Sequence, residues 1–302
     1  MTVRRSLIAL AAPLAALALS SCGKPPAAEQ PLTFSILSAE DQATFGPLWQ
    51  PLLDDLSKAV GRKVVARFSP SYSLLVEAMA ANQTQVGWFS AEPALEAVTR
   101  ANAQVFARTV DLQGKDTYTS VVITKKGSGV TLDKVLSCNH QLNFALGDPK
   151  STSGTLAPMT YLFGPKGIDV NNCFKSIRSA THQANLVAVA NGTLDASTNN
   201  SVGLDFARVG NPQAKAYYDS LEVIWTSPAL PESAVVYRKD LDPALRAKIA
   251  DFFVHYGTGT GPEAERQRAV MKPLHYSAFH AADDSYLQPI REMQASKVAA
   301  GG

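Results

Sequence analysis

The chain has 302 residues, of which 28 are Lys or Arg and 26 are Asp or Glu, so its formal net charge is only +2. This near-neutral balance excludes a nucleic-acid binder, which depends on a basic surface. Apolar residues make up 46% of the chain, an ordinary globular level, and the length allows two domains or one large one.

The first residues are typical of an export signal. Arg4 and Arg5 precede an apolar stretch over residues 7–19, which is too short for a permanent membrane-spanning helix. We therefore expect a signal peptide over residues 1–21. No other segment is long and apolar enough to cross a membrane, so the mature chain of about 280 residues is predicted to be soluble.

A lipid attachment site follows the signal. Leu19-Ser20-Ser21-Cys22 resembles a bacterial lipobox, in which Cys22 receives the lipid and becomes the new N-terminus. The alternative is an ordinary secreted protein that is cleaved nearby. The proline-rich residues 22–31 predict a solvated tether. The sequence thus predicts a periplasmic lipoprotein of a bacterium, anchored to a membrane through Cys22.

Strands and helices alternate through the first half of the mature chain. The helix over 48–60 shows apolar residues three and four apart and ends at Gly61. Glu92-Pro93 is typical of a first helical turn after Ser90. Predicted strands cover residues 32–37, 63–68, 85–89, 105–109 and 120–124, with a further helix over 71–81. This alternation indicates an α/β protein with a mainly parallel sheet.

The second half repeats the alternation. Predicted strands cover residues 141–146, 174–179, 195–198, 221–225 and 234–237. Predicted helices cover residues 151–163, 182–190 and 243–255, with one starting near Ser201 and the last ones beyond Glu263. The pattern favours a two-lobed α/β protein.

The most informative motif is Gly-Asp-Pro-Lys-Ser-Thr-Ser-Gly at residues 147–154, between a predicted strand and a predicted helix. It places the hydroxyls of Ser151, Thr152 and Ser153 at a helix start, where backbone N–H groups lack partners and the helix dipole is positive. Such a turn can hold a small tetrahedral oxyanion. An ordinary helix N-cap with two spare hydroxyls is an equally good interpretation of the spacing.

Three cysteines occur in the chain. If Cys22 carries lipid, Cys138 and Cys173 remain, and each precedes a predicted strand of the same half. We expect a structural disulfide between them in an oxidising compartment. Two free thiols or a soft-metal site are the alternatives. A zinc site is disfavoured because no paired histidines complete four ligands, and we expect neither a metal nor a cofactor.

The sequence resembles the PhnD-type substrate-binding proteins of phosphonate ABC transporters, from residue 32 to about residue 291. The motifs that carry this resemblance lie, in order, at residues 70–72, 86–89, 96–102, 104–110, 147–154, 188–191, 197–200 and 224–228. The resemblance implies a type II periplasmic binding protein fold, in which two α/β lobes joined by two hinge strands close over a ligand. Its partners would be a small oxyanion and a membrane permease.

The resemblance implies that the two lobes are built from three consecutive parts of the chain. The first lobe would comprise residues 32–122, the second lobe 123–225, and residues 226–302 would return to the first lobe with the C-terminal helices. The hinges would be residues 121–124 and 224–227. We expect a monomer.

The resemblance also implies a ligand set. Ser151, Thr152 and Ser153 would hold phosphonate oxygens from the second lobe, and Tyr72 and Tyr118 would donate from hydroxyls. His182 would bind a further oxygen, as a cation or as a neutral donor. Taken singly, each tyrosine is as well explained by packing, and His182 by a polar contact at a helix start. Trp88 and Trp225 are expected in the core or at the hinge.

One departure concerns the other end of the ligand. Aminophosphonate-binding members place two carboxylates around the ligand ammonium, and the matching positions here are Val202 and Ser233. An ammonium without a counter-charge is costly to bury, so phosphite, methylphosphonate or phosphate is favoured over 2-aminoethylphosphonate. Ser233 would contact an oxygen, and Val202 would suit a P–H or P–CH3 group. Glu232, beside Ser233, is an alternative partner for an ammonium.

Other functions are less well supported. An enzyme with a Ser151 or Ser153 nucleophile and a His182 base lacks the Gly-x-Ser-x-Gly elbow, and the motif does not end like a P-loop. We therefore predict a binding protein and not an enzyme. The alternative is an accessory protein that presents an oxyanion, such as arsenite or phosphate, to a membrane receptor kinase, with the two cysteines as thiol ligands for arsenic.

Overall fold

The computed structural model describes residues 30–37, 42–69 and 71–299. The predicted signal peptide, Cys22 and most of the predicted tether lie outside these residues. Within them, no helix combines the length and apolar character that a membrane span requires.

The fold is α/β, as predicted. The described strands are β1 (Leu32–Leu37), β2 (Val64–Ser69), β3 (Val86–Phe89), β4 (Ala103–Asp111), β5 (Thr117–Tyr118), β6 (Ser120–Lys125), β7 (Asn143–Leu146), β8 (Ser176–Ser179), β9 (Ala196–Asn200), β10 (Leu221–Thr226), β11 (Leu230–Pro231), β12 (Ala234–Arg238) and β13 (Tyr276–Ala281). The described α-helices are α1 (Gln42–Val60), α2 (Tyr72–Ala80), α3 (Ala91–Arg100), α4 (Leu132–Leu136), α5 (His182–Ala190), α6 (Ser201–Val209), α7 (Pro212–Asp219), α8 (Pro243–His255), α9 (Pro262–Met271) and α10 (Gln288–Ala299).

The strands form two larger sheets, one for each lobe. The first sheet has the order β13-β4-β12-β3-β1-β2 and takes its strands from both ends of the chain. The second sheet has the order β10-β6-β9-β7-β8 and takes its strands from the middle. The chain thus builds part of one lobe, all of the other, and then returns.

The prediction of mainly parallel sheets is wrong. In the first sheet β1 is parallel to β2 and β3, but β12 and β13 run antiparallel to their neighbours. In the second sheet β7 is parallel to β8 and β9, whereas β6 and β10 are antiparallel. The parallel pairs are joined by helical crossovers. The antiparallel strands are those through which the chain passes between the sheets or returns along an edge.

The chain crosses between the sheets at two adjacent places. β5 pairs antiparallel with β11 in a small sheet of its own at this crossing. Beside it, Ser227 Oγ accepts from the Ser120 backbone N–H at 3.0 Å, and the Ser227 N–H donates to the Ser120 carbonyl at 2.9 Å. The predicted hinge residues lie next to this crossing, in β6 and β10, which pair with each other. The predicted lobe boundaries stay a prediction.

The first lobe holds the largest hydrophobic core, around its sheet, α1, α3 and α8. Two smaller clusters cover the two faces of the second sheet. Leu156 and Ala157, from the helix after the hydroxyl motif, are buried in the first core although they belong to the second half of the chain. The hydroxyl motif is therefore anchored where the two lobes meet.

The sequence analysis missed the short elements α4, β5 and β11 and two longer ones, β13 and α7. β13 is an edge strand whose pairing with β4 is interrupted by a bulge, so its polar and apolar residues do not alternate cleanly. α7 has no buried residue, although the side chain of Asn211 caps it and Pro212 occupies its first turn. That start signal could have identified α7 from the sequence.

Candidate functional site

The predicted helix after the hydroxyl motif is present but differs from an α-helix. Residues Thr152–Leu156 and Met159–Phe163 are wound as π-helix. The Leu156 N–H donates to the Ser151 carbonyl at 3.0 Å, the wide spacing of this winding. Pro158 lies between the two segments and has no N–H to continue a regular ladder. Such widened turns recur at functional sites.

The N-cap interpretation holds for Ser151. Its Oγ accepts from the Gly154 N–H at 2.9 Å. Two glycines of the motif allow the strand end and the helix start to touch, because a Cβ added to Gly154 would lie 2.6 Å from the Gly147 Cα. The Gly147 N–H also donates to the Gly154 carbonyl at 2.9 Å. The motif therefore forms one tight turn in which neither glycine has room for a side chain.

His182 closes over this turn from the first residue of α5. Its Nε2 lies 3.3 Å from Ser151 Oγ and 3.5 Å from Ser153 Oγ. Burial lowers the pKa of His182 to about 4, so the imidazole is neutral at pH 7. Of the two roles predicted for it, burial favours the neutral donor, and its contact with a ligand stays a prediction. Its Nδ1 is buried and has no hydrogen-bond partner among the described residues.

A cavity of about 50 Å³ lies against the turn, between the two lobes. It collects six of the seven residues for which a ligand contact was predicted, namely Tyr72, Tyr118, Ser151, Ser153, His182 and Ser233. They come from five separated parts of the chain. The fold thus brings together residues that no single sequence motif contains.

Thr152 is the exception. It is fully buried but does not line the cavity. Its Oγ1 accepts from the Glu92 N–H at 2.8 Å, at the start of α3 in the first lobe. This hydroxyl therefore joins the two lobes.

The cavity also has lining residues that the sequence analysis missed or placed elsewhere. Trp88 was expected in the core, and it is buried in the first core and also lines the cavity, whereas Trp225 packs against the second sheet. Ser90 lies just after β3, and its buried Oγ has no partner among the described residues. The rule that ligands bind beyond the carboxyl ends of parallel strands could have identified Ser90. The remaining lining residues are Leu37, Phe45, Asn200, Val202, Gly203, Phe206, Glu232 and Tyr276.

The polar groups that the described residues bring to the cavity are neutral donors and the carboxyl group of Glu232. None of these described lining residues is Lys or Arg. Burial and the nearby Glu232 hold the pKa of Tyr118 and Tyr276 above the ordinary tyrosine value, so both hydroxyls keep their protons. Glu232 Oε1 accepts from the Ser233 N–H at 3.0 Å and from the Ser233 hydroxyl at 3.2 Å. Burial nevertheless raises the pKa of Glu232 to about 7.

Several contacts join the lobes around the cavity. Phe206 of α6 stacks on His275 with ring centroids 3.9 Å apart, and it also contacts Phe45 at 5.7 Å. Lys150 Nζ lies 3.2 Å from the Glu96 carboxylate. These contacts come from side chains on opposite lobes, so they hold only while the lobes are together.

A second, larger cleft of about 930 Å³ opens to solvent beside the small cavity. It shares Tyr118, His182 and Glu232 with that cavity, and it is also lined by α6 and α7. The buried hydroxyls of Ser151 and Ser153 line only the small cavity. The two hydroxyls of the turn thus lie in the smaller cavity, next to the open cleft.

Cys138 and Cys173 are joined by a disulfide. Their sulfurs are thus unavailable as thiol ligands for arsenic, which removes the basis for the arsenite alternative. Within the described part of the chain, no group of three or more His, Cys, Asp or Glu residues is placed to hold a metal ion.

Comparison with known proteins gives consistent results. The family model described as the periplasmic substrate-binding protein of the phosphonate ABC transporter matches residues 34–287. The phosphonates-binding periplasmic protein of Escherichia coli K12 is 38% identical over 274 residues, which cover 90% of this chain and 78% of that protein.

Solved structures agree with this match. A binding protein component of an ABC phosphonate transporter from Pseudomonas aeruginosa superposes with a TM-score of 0.85 at 34% identity, covering 90% of this chain and 88% of that one. PhnD1 of Prochlorococcus marinus, solved with methylphosphonate, has a TM-score of 0.75 at 20% identity, covering 87% of this chain and 97% of that one. The second likeness concerns the fold alone.

Proposed function

Because this chain belongs to the family of periplasmic substrate-binding proteins of phosphonate ABC transporters, we propose that it captures a small phosphonate-like oxyanion and delivers it to a membrane permease. The observation that carries this proposal is the cavity at the hydroxyl turn. Ser90 and His182 line that cavity, and Ser90 Oγ and His182 Nδ1 are buried and lack partners among the described residues. Buried polar groups are nearly always paired, so these two call for a polar ligand.

The size of the cavity favours a compact ligand. One water needs about 10–15 Å³ of such space, so the volume of about 50 Å³ holds roughly three to five non-hydrogen atoms. Phosphite, methylphosphonate and phosphate have four or five such atoms. 2-Aminoethylphosphonate has seven and would need a wider cavity.

The lining favours a ligand with one apolar corner. Hydroxyls and the His182 imidazole gather at the turn, while Leu37, Phe45, Val202 and Phe206 supply apolar surface elsewhere. A P–H or P–CH3 group would lie against that surface without losing a hydrogen bond. The fourth oxygen of phosphate would be desolvated there, which is costly. We therefore place phosphite and methylphosphonate ahead of phosphate.

Neutral donors would hold the anion without a cation. Tyr72, Tyr118, Ser151, Ser153 and His182 are the proposed oxygen ligands, with Ser233 near the opposite end. A hydrogen bond to a charged group contributes about 1.5–3 kcal/mol, so four or five of them support tight binding after ordering costs. The start of the π-helical segment adds unpaired N–H groups to this set.

Closure of the lobes is the proposed working step. A ligand that contacts Tyr72 of the first lobe and Ser153 of the second binds fully only when the lobes meet. It therefore shifts the open–closed equilibrium by its preference for the closed form. Thr152 and Phe206, which contact the first lobe, stabilise that form. The permease would then recognise the closed protein.

The anchor belongs to the same proposal. Lipid on Cys22 and a tether over residues 22–31 would keep a monomeric body near the permease. The lipid anchor can be tested directly. Mass spectrometry of the mature protein is expected to find an acylated Cys22, and Cys22→Ala is expected to release the protein from membranes. Recovery of an unmodified, soluble mature chain from cells would contradict the anchor alone.

Calorimetric titration of the purified protein with phosphite, methylphosphonate, phosphate and 2-aminoethylphosphonate tests the ligand. Methylphosphonate or phosphite is expected to bind most tightly. Binding of none of them would overturn the proposed function, and a clear preference for 2-aminoethylphosphonate would overturn the ligand assignment.

A further inference from the structure

One carboxyl group lies in a cavity that is otherwise suited to an anion. Glu232 is 5% exposed, and among the described residues it is the only Asp or Glu that lines the small cavity. An ionised carboxylate accepts hydrogen bonds and cannot donate one. An ionised Glu232 facing an oxyanion would repel the ligand, and a carboxylate oxygen would lie next to a ligand oxygen with no proton between them. The position of Glu232 therefore needs a physical explanation.

The side chain is held in place and cannot turn away. Ser233 donates twice to Oε1, from its N–H at 3.0 Å and its hydroxyl at 3.2 Å. The backbone is fixed as well, since the Glu232 N–H donates to the Asp116 carbonyl and the Tyr286 hydroxyl donates to the Glu232 carbonyl. Thr109 also hydrogen-bonds to this carboxyl group, so the group is held at the wall of the cavity.

The groups around Glu232 bring no compensating cation. Asp111 at the end of β4 is negative, and Thr109 of the same strand offers a neutral hydroxyl. Tyr118 of β5, Tyr276 of β13 and Tyr286 keep their protons, because the pKa of each lies above the ordinary value.

Two further groups complete these surroundings. The Arg108 guanidinium is bonded to Asp116 at 2.8 Å and lies over the Tyr286 ring. His182, across the cavity, is neutral. Each of these described groups is thus neutral, negative or already paired.

We propose that Glu232 retains one proton in the ligand-bound cavity, so that the protein takes up oxyanion and proton together. This inference rests on the proposed function. The carboxylic acid O–H then donates to a ligand oxygen, and all polar groups around the anion act as donors.

The proton makes Glu232 a specificity residue. A ligand without an amine binds with the carboxyl protonated, since an anion beside Glu232 disfavours its ionised form. An aminophosphonate would do the opposite, because its ammonium would ionise Glu232 and release the proton. The direction of proton exchange therefore reports which class of ligand the cavity accepts.

The test compares the natural protein with Glu232→Gln, an isosteric variant that is always neutral. Methylphosphonate is titrated calorimetrically at about pH 8.5, above the raised pKa of Glu232, in buffers of different ionisation enthalpy. The natural protein is expected to take up about one proton more than the variant. Its affinity is expected to fall, relative to the variant, about tenfold per pH unit above neutrality. Comparing the two proteins at each pH cancels the titration of the ligand itself.

Controls separate the possible failures. Glu222→Gln, at an exposed glutamate of β10, is expected to match the natural protein in both readouts. Equal proton uptake by the natural protein and Glu232→Gln would overturn the inference while leaving the binding function intact. Failure of the natural protein to bind methylphosphonate, phosphite, phosphate and 2-aminoethylphosphonate would instead overturn the proposed function.

If Glu232→Gln does not fold, the protonation state of Glu232 can be measured in the natural protein. Carbon-13 NMR of the glutamate carboxyl groups in the methylphosphonate complex is expected to show one glutamate still protonated at about pH 8.5. A spectrum in which every glutamate is ionised would overturn the inference.

Discussion

The hydroxyl of Ser153 offers the cleanest test of the cavity. Ser153 is 2% exposed, and its Oγ lies 3.5 Å from His182 Nε2 and hydrogen-bonds with the Tyr118 hydroxyl, both of which are other proposed ligand groups. Its carbonyl, which accepts from Ser120 Oγ at 2.6 Å, does not depend on the side chain. Ser153→Ala therefore removes a proposed ligand donor with little effect on the fold. In contrast, Ser151→Ala also removes an N-cap.

The magnitude follows from the energy of one hydrogen bond to a charged group. At about 1.5–3 kcal/mol, its loss weakens binding about 10- to 150-fold. Ser151→Ala is expected to lose a similar factor and, in addition, about 0.5–2 kcal/mol of stability from the missing cap. Calorimetry with methylphosphonate and thermal unfolding of the ligand-free proteins separate the two effects.

A matched control comes from the same lobe. Ser197 of β9 is fully buried, its Oγ has no partner among the described residues, and it does not line the cavity. Ser197→Ala is expected to bind methylphosphonate like the natural protein. Unchanged affinity in Ser153→Ala, or an equal loss in Ser197→Ala, would refute the assignment of the donor.

Four further outcomes are expected. Phe206→Ala removes two aromatic contacts between the lobes, and each contributes about 0.5–1.5 kcal/mol. The affinity for methylphosphonate should therefore fall at least about fivefold, and small-angle scattering should show a more open protein. Unchanged affinity and scattering would exclude a role of Phe206 in closure. Gly154→Ala places a Cβ 2.6 Å from Gly147 Cα and 3.1 Å from His182 Cε1. Methylphosphonate binding should therefore be lost, and the free energy of unfolding should drop by about 1–3 kcal/mol. The control is Gly46→Ala, whose added Cβ meets nothing within 4 Å and which should have neither effect. Replacing Cys138 and Cys173 by serine should cost about 2–4 kcal/mol of unfolding free energy and leave affinity nearly unchanged, and a large loss of affinity would contradict a purely structural bridge. Burial lowers the pKa of His182 from 6.5 to about 4, so the natural protein should lose stability, relative to His182→Gln, as the pH falls from about 6.5 towards 4. The pKa of Glu232 is raised from 4.5 to about 7, so the natural protein should lose stability, relative to Glu232→Gln, as the pH rises from about 4.5 to 7. Parallel pH profiles of variant and natural protein would contradict these expectations.

Local signals made much of the fold predictable. The hydroxyl turn, the start of α5 and the bounds of α8 follow from caps and apolar spacing, and Thr181 Oγ1 does accept from the Ala184 N–H as an N-cap should. The family resemblance added what these signals lack, the joining of distant segments around one cleft.

Side-chain direction could not be predicted in the same way. Ser151, Thr152 and Ser153 are consecutive, yet consecutive residues at a helix start point in different directions. The Thr152 hydroxyl therefore faces α3, while its neighbours line the cavity. Trp88 likewise belongs to the first core and to the cavity at once, which a one-dimensional pattern of apolar residues does not reveal.

Charge in the cavity also depended on the tertiary structure. His182 had been assigned either a cationic or a neutral role, and only its burial decides for the neutral form. Glu232 was considered as a partner for an ammonium, but its surroundings of tyrosines and Asp111 became visible only in the folded chain. Burial and neighbours, which a sequence does not state, determine both protonation states.

The most direct test of the central claim is a crystal structure of the protein with methylphosphonate. The account predicts that the phosphonate oxygens contact Ser151, Ser153 and His182, and that the methyl group lies near Val202. A ligand bound in the outer cleft away from this turn, or no bound ligand at saturating concentration, would contradict it.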